Sequence, residues 1–155
     1  MPTGTVRSIV GLTGAKVERA ATVIDSTVEV AAATAADTRY EMLRIPSRAR
    51  IHGLSRVRFD DLASTGSPTI DFGLAAVDGN ITTDEDALND GVDVATAAGS
   101  AHLIKDHANE GRMAWEFVSG LTADPGGFFD VIITTKDAAC NTGGTVTLNL
   151  VYSVD

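Results

Sequence analysis

The sequence predicts an all-β fold, a β-sandwich of jelly-roll type. Three observations carry this. Several short segments alternate apolar and polar residues with period 2, turn residues punctuate them, and no long segment repeats apolar residues at helical spacing. About seven to nine short strands of this kind suit a sandwich or jelly roll. Strand order is not readable from one sequence, so a barrel is the other option. The chain of 155 residues, 44% hydrophobic and 21% charged, is long enough for one core and too apolar for disorder throughout.

Residues 1–38 are rich in Ala, Thr and Val. They read as one or two edge strands, or as an extended arm that gains order against a partner. The sandwich domain is expected over 39–155. Its first strand is Arg39–Ile45, ended by Pro46, which has no N–H for a ladder. In Arg48–Phe59 the even positions carry Arg48, Arg50, His52, Leu54, Arg56 and Arg58, and the odd positions are largely apolar. Gly53 and Ser55 mark a bulge or bend in that segment.

Thr69–Leu74 puts Ile70, Phe72 and Leu74 on one face and Asp71 on the other. Asp78–Asn109 reads as one long acidic insertion. Within it Thr83 and Asp86 resemble a capping box that opens a short helix over Thr83–Leu88, and Val92–Ala98 suits another turn or two of helix. Met113, Trp115 and Phe117 alternate with Glu116 turned away, as in a strand. Asp124-Pro125-Gly126-Gly127 is a turn, followed by a strand with Phe129, Val131 and Ile133 together. The clearest strand is Gly144–Asp155, where Val146, Leu148, Leu150, Tyr152 and Val154 form one row and only Val151 breaks the polar side.

Charge narrows the function. The net charge of −9 argues against nucleic acid as a partner, since phosphate contacts need a basic surface. Residues 1–58 nevertheless carry 9 basic and 5 acidic residues, and the remainder 3 and 16. That segregation suggests electrostatic pairing within the molecule or between copies. The partner-binding candidates are Arg7, Arg44, Arg48, Arg50, Arg56 and Arg58, because guanidinium pairs carboxylates bidentately. The alternative is a sheet face neutralised by the chain's own acidic loops.

Chemical motifs are scarce. There is neither a G-x-S-x-G elbow nor a phosphate-binding glycine loop, and His52, His102 and His107 have no metal-ligand spacing. Cys140 is the sole cysteine and reads as a filler residue. Asp78, Asp84, Asp86 and Asp90 are calcium candidates, because calcium takes six to eight oxygen ligands; their spacing departs from the helix–loop–helix calcium motif, and a solvated acidic loop is the other reading. No cofactor, no enzymatic activity and no membrane span are expected. The apolar stretch near the N-terminus is too short for a signal peptide and lacks a basic start.

Leu43–Leu74, LRIPSRARIHGLSRVRFDDLASTGSPTIDFGL, and Trp115–Thr135, WEFVSGLTADPGGFFDVIITT, followed by Gly143–Tyr152, GGTVTLNLVY, resemble runs in tailed-bacteriophage capsid decoration (cement) proteins. The resemblance covers about two-thirds of the chain, Leu43–Tyr152. It implies a non-enzymatic β-sandwich, often a homotrimer, on the outer surface of the virion. There it would clamp neighbouring subunits of the major capsid protein. A head–tail connector, tail-tube or fibre-base protein, and a calcium- or carbohydrate-binding module, are the competing readings.

Overall fold

The computed structural model describes residues 20–79 and 81–154; Arg7 lies outside them. Among the described residues the strands are β1 (Thr22–Val30), β2 (Arg39–Pro46), β3 (Ala49–Ile51), β4 (Arg56–Phe59), β5 (Thr69–Ala76), β6 (Asp84–Asp93), β7 (Gly99–His102), β8 (Phe128–Lys136) and β9 (Gly144–Val154). A 3-10 turn at His107–Asn109 and one short α-helix, α1 (Ala114–Phe117), precede β8.

The strands form two antiparallel sheets. One runs β1-β9-β4-β7 with β3 also on β9, and the other runs β2-β8-β5-β6. Strands β3 and β4 lie on the same flank of β9, opposite Tyr152–Val154 and Val146–Asn149 respectively. They are one strand interrupted at residues 52–55. Counted so, every connection except β5–β6 passes from one sheet to the other, which is the winding of a jelly roll.

The alternating rows become the core. Val146, Leu148, Leu150 and Tyr152 of β9 join Phe129, Val131 and Ile133 of β8 and Ile70, Phe72 and Leu74 of β5 in one buried cluster. Each large side chain removed from water contributes roughly 1.5–3 kcal/mol before chain entropy is subtracted. Val154, the last member of the β9 row, is exposed.

Two irregularities are bridged by serine hydroxyls. At the break between β3 and β4, buried Ser55 donates from Oγ to the Val151 carbonyl at 3.1 Å and accepts from the Val151 N–H at 3.0 Å. Its side chain stands in for the missing ladder residue. At the bulge between Glu41 and Leu43 in β2, the Ser26 hydroxyl donates to the Met42 carbonyl at 2.7 Å and ties β1 to the neighbouring sheet.

Four expectations are corrected. Thr83–Leu88 does not open a helix: Asp84–Asp93 is β6, because β5 offers a ladder edge, and pairing Phe72 with Asn89 and Leu74 with Asp84 fills it. Val92 and Asp93 end that strand and bends follow, with no helix over Val92–Ala98. The acidic insertion is therefore not a loop between strands, since it supplies β6 to one sheet and β7 to the other. Finally, Met113–Phe117 is not a strand. The Met113 N–H donates to the Glu116 carboxylate at 2.7 Å and the Trp115 N–H to the Ser47 carbonyl at 3.2 Å, which starts α1 against the β2–β3 turn.

Candidate interaction surface

The arginines that form one row in sequence are divided in space. Arg44 lies on β2, in register with Asp130 of β8, and forms a bidentate pair with it, Nε to Oδ1 at 2.8 Å and Nη2 to Oδ2 at 3.1 Å. Arg48 in the β2–β3 turn donates from Nε to Asp124 Oδ2 at 2.7 Å. That bond, then the Gly126 N–H, holds the Asp124 carboxyl below its ordinary range. Arg50 donates from Nη1 to the Gly111 carbonyl at 3.1 Å. Arg56 and Arg58 stand on β4, in the five-stranded sheet that also carries Arg50 on β3, and are exposed on either side of buried Val57. Their β9 neighbours are Asn149 and Thr147, and their β7 neighbours are His102 and Ser100.

The acidic candidates are divided too. Asp84 and Asp86 line an open depression of about 560 Å³ with Asp71, Glu85, Thr82, Thr83, Ser119 and Lys136. Asp84 accepts from the Ser119 N–H at 2.7 Å, and Lys136 bridges Asp37 and Glu85 at 2.8 and 2.9 Å. A hydrogen bond with Asp84, then burial, pushes the Asp86 carboxyl up. Burial does the same to Asp71, against the Gly91 N–H it accepts at 2.8 Å. Asp90 is drawn away to Lys105, and Asp78 lies in the turn after β5. Among the described residues, no group of three or more His, Cys, Asp or Glu side chains is arranged to hold a metal ion.

Sequence reasoning missed the apolar component of the surface. Leu54 is 78% exposed at the break between β3 and β4, and Val23 is 65% exposed on β1. Val23 is the register partner of Val151, so the one apolar residue on the polar side of the β9 alternation was the available signal.

No family model and no curated protein matches the chain. Two solved structures share its fold. A chain of the cyanophage Pam1 capsid asymmetric unit superposes with a TM-score of 0.54 at 16% identity, over 88% of this chain and 86% of that one. A chain of the capsid of Ralstonia phage GP4 superposes with a TM-score of 0.61 at 19% identity, over 88% of this chain and 85% of that one. Each likeness spans nearly the whole of both chains, so it is one of complete fold.

Proposed function

We propose that this chain is a non-enzymatic structural protein of a virion, one that binds the outside of a phage head and reinforces contacts between major capsid subunits. The observation that carries the reading is the likeness of fold, over 88% of this chain, to chains in two phage capsid assemblies. The cement-like runs in Leu43–Tyr152 support it from the sequence alone. The partners are the major capsid protein and further copies of this chain, assembled as a homotrimer.

The test uses heads purified without this protein. The purified chain is added, the heads are sedimented, and bound copies are located by electron cryomicroscopy, while light scattering gives the mass of the free protein. Copies spread over the whole outer shell and a trimer mass are expected. Copies confined to one vertex would point to a connector instead. Absence of any binding to heads would remove the capsid reading.

A further inference from the structure

Sheet register lays successive rows across the outer face of the five-stranded sheet, and three of them lie between a Glu29–Thr145 row and a Ser153–Arg50 row. In the first, Val23 lies beside Val151, and the turn carrying Leu54 is fastened to the far side of Val151 by His52 and Ser55. The second runs Asp25, Asn149, Arg56 and His102, and the third Thr27, Thr147, Arg58 and Ser100. Within these rows the small polar groups satisfy one another. Asn149 donates to Asp25, and the Thr27 and Thr147 hydroxyls share a hydrogen bond at 2.8 Å. Arg56 and Arg58 are exposed and have no carboxylate partner among the described residues. The contrast with Arg44 and Arg48, which Asp130 and Asp124 neutralise, falls within a chain of net charge −9.

Arginine is enriched at protein interfaces, and here two unneutralised arginines lie beside an apolar strip and a leucine held exposed on a pinned turn, the kind of apolar surface that marks an interaction site. The chemistry specifies the occupant. Free guanidinium groups call for carboxylates, and Leu54 for an apolar hollow among them. Nucleic acid fits poorly, because no aromatic residue lies among the arginines in these rows to stack a base. A second copy of the chain also fits poorly. The acidic depression belongs to the opposite sheet, so joining the arginine face of one copy to the depression of the next is a head-to-tail contact between oppositely directed faces, which favours stacking over ring closure.

We infer that the outer face of the five-stranded sheet docks on a carboxylate-bearing surface of another protein, with Leu54 as the apolar anchor and Arg56 and Arg58 as the charge-pairing groups. The inference rests on the capsid reading, in which that surface belongs to the shell. It also assigns Arg44 and Arg48 an internal role.

The test compares wild type, Arg56→Glu/Arg58→Glu, Leu54→Ser and Arg44→Ala, each as the full chain, for binding to heads that lack the protein. The double charge reversal and Leu54→Ser should each weaken binding by about tenfold or more. Arg44→Ala should stay within about twofold of wild type, and wild-type binding should weaken as salt is raised. Thermal melting reports folding; if charge reversal lowers it, Arg56→Gln/Arg58→Gln is compared instead and should also bind weakly. If wild type binds and the sheet variants bind equally well, the docking face is wrong and the capsid reading stands. If the variants dissociate an oligomer of this chain but leave head binding intact, the face joins copies and the inference falls. If wild type does not bind heads, the capsid reading fails and takes the inference with it.

Discussion

Replacing Ser55 with alanine tests how an interrupted strand is held in a sheet. Ser55 is 1% exposed, and its hydroxyl contacts both the Val151 N–H at 3.0 Å and the Val151 carbonyl at 3.1 Å. The carbonyl has a second donor, the His52 N–H at 2.9 Å, so alanine leaves the Val151 N–H as the group without a partner. An orphaned, largely desolvated donor costs about 1–3 kcal/mol. In a domain of this length each kcal/mol lowers the melting temperature by roughly 2–4 °C. A loss of about 2 kcal/mol therefore appears as a fall of about 4–8 °C. Circular dichroism melts read the total, and amide hydrogen exchange reads the place, with faster exchange at Val151. Ser100→Ala, at an exposed position on β7, is the control and should stay within about 0.5 kcal/mol of wild type. A Ser55→Ala melt that matches Ser100→Ala, with Val151 exchange unchanged, would refute the bridging role.

Three further perturbations probe other parts of the fold. A Cβ at Gly73 would stand 2.1 Å from the Asp84 carbonyl oxygen and 2.4 Å from Glu85 backbone atoms, so Gly73→Ala must force β5 and β6 apart. It should cost about 1–3 kcal/mol or more in urea denaturation, while Gly79→Ala, which meets open space, costs little; equal costs would contradict the close approach. Asp86, raised by its hydrogen bond with Asp84 and then by burial, contributes stability below the unfolded-state pKa that is lost as pH rises through the folded value. Asp86→Asn should therefore stabilise the protein at neutral pH but not near pH ~3, and a variant no more stable than wild type at neutral pH would rule this out. Burial pushes the Cys140 thiol up and leaves it fully inaccessible. A thiol reagent should label it only after denaturation, and equal labelling of the native protein would contradict that burial.

What was legible in the sequence was whatever local pattern and tertiary context agreed upon. The β9 row was legible from Val146 to Tyr152 because one face there packs on the core and the other does not, and the pattern ends at buried Ser153 and exposed Val154. The break at Gly53–Ser55 was legible because no regular strand keeps Gly and Ser where an apolar row needs side chains. β6 was misread because its pattern obeys neither period: two register shifts against β5 leave Leu88 and Asn89 buried side by side. The signals at Thr83 and Asp86 were real local preferences that ladder pairing overrode. Met113–Phe117 was misread because alternation over five residues fits one helical turn equally well. For the surface, sequence alternation placed Arg56 and Arg58 on one face with Arg48, and shared basic character grouped Arg44 and Arg48 with them as candidates. Nothing local showed that those two are neutralised, because their partners lie 86 and 76 residues away.

The position of β9 has a consequence for how the molecule is made. Gly144–Val154 lies between β1 on one flank and β3 and β4 on the other, and the Thr27–Thr147 contact spans 120 residues. Until a ribosome has delivered this segment, β1 has no strand to pair with among the described residues, and β4 has only β7. Assembly of that sheet must therefore wait until synthesis of β9 is complete. Pairings this distant close slowly, on about the millisecond-to-second scale of sandwich proteins. During that interval the unpaired edges are exposed to association with other chains. Yield in the cell should accordingly depend on how quickly β9 reaches its slot, as well as on the stability of the finished fold.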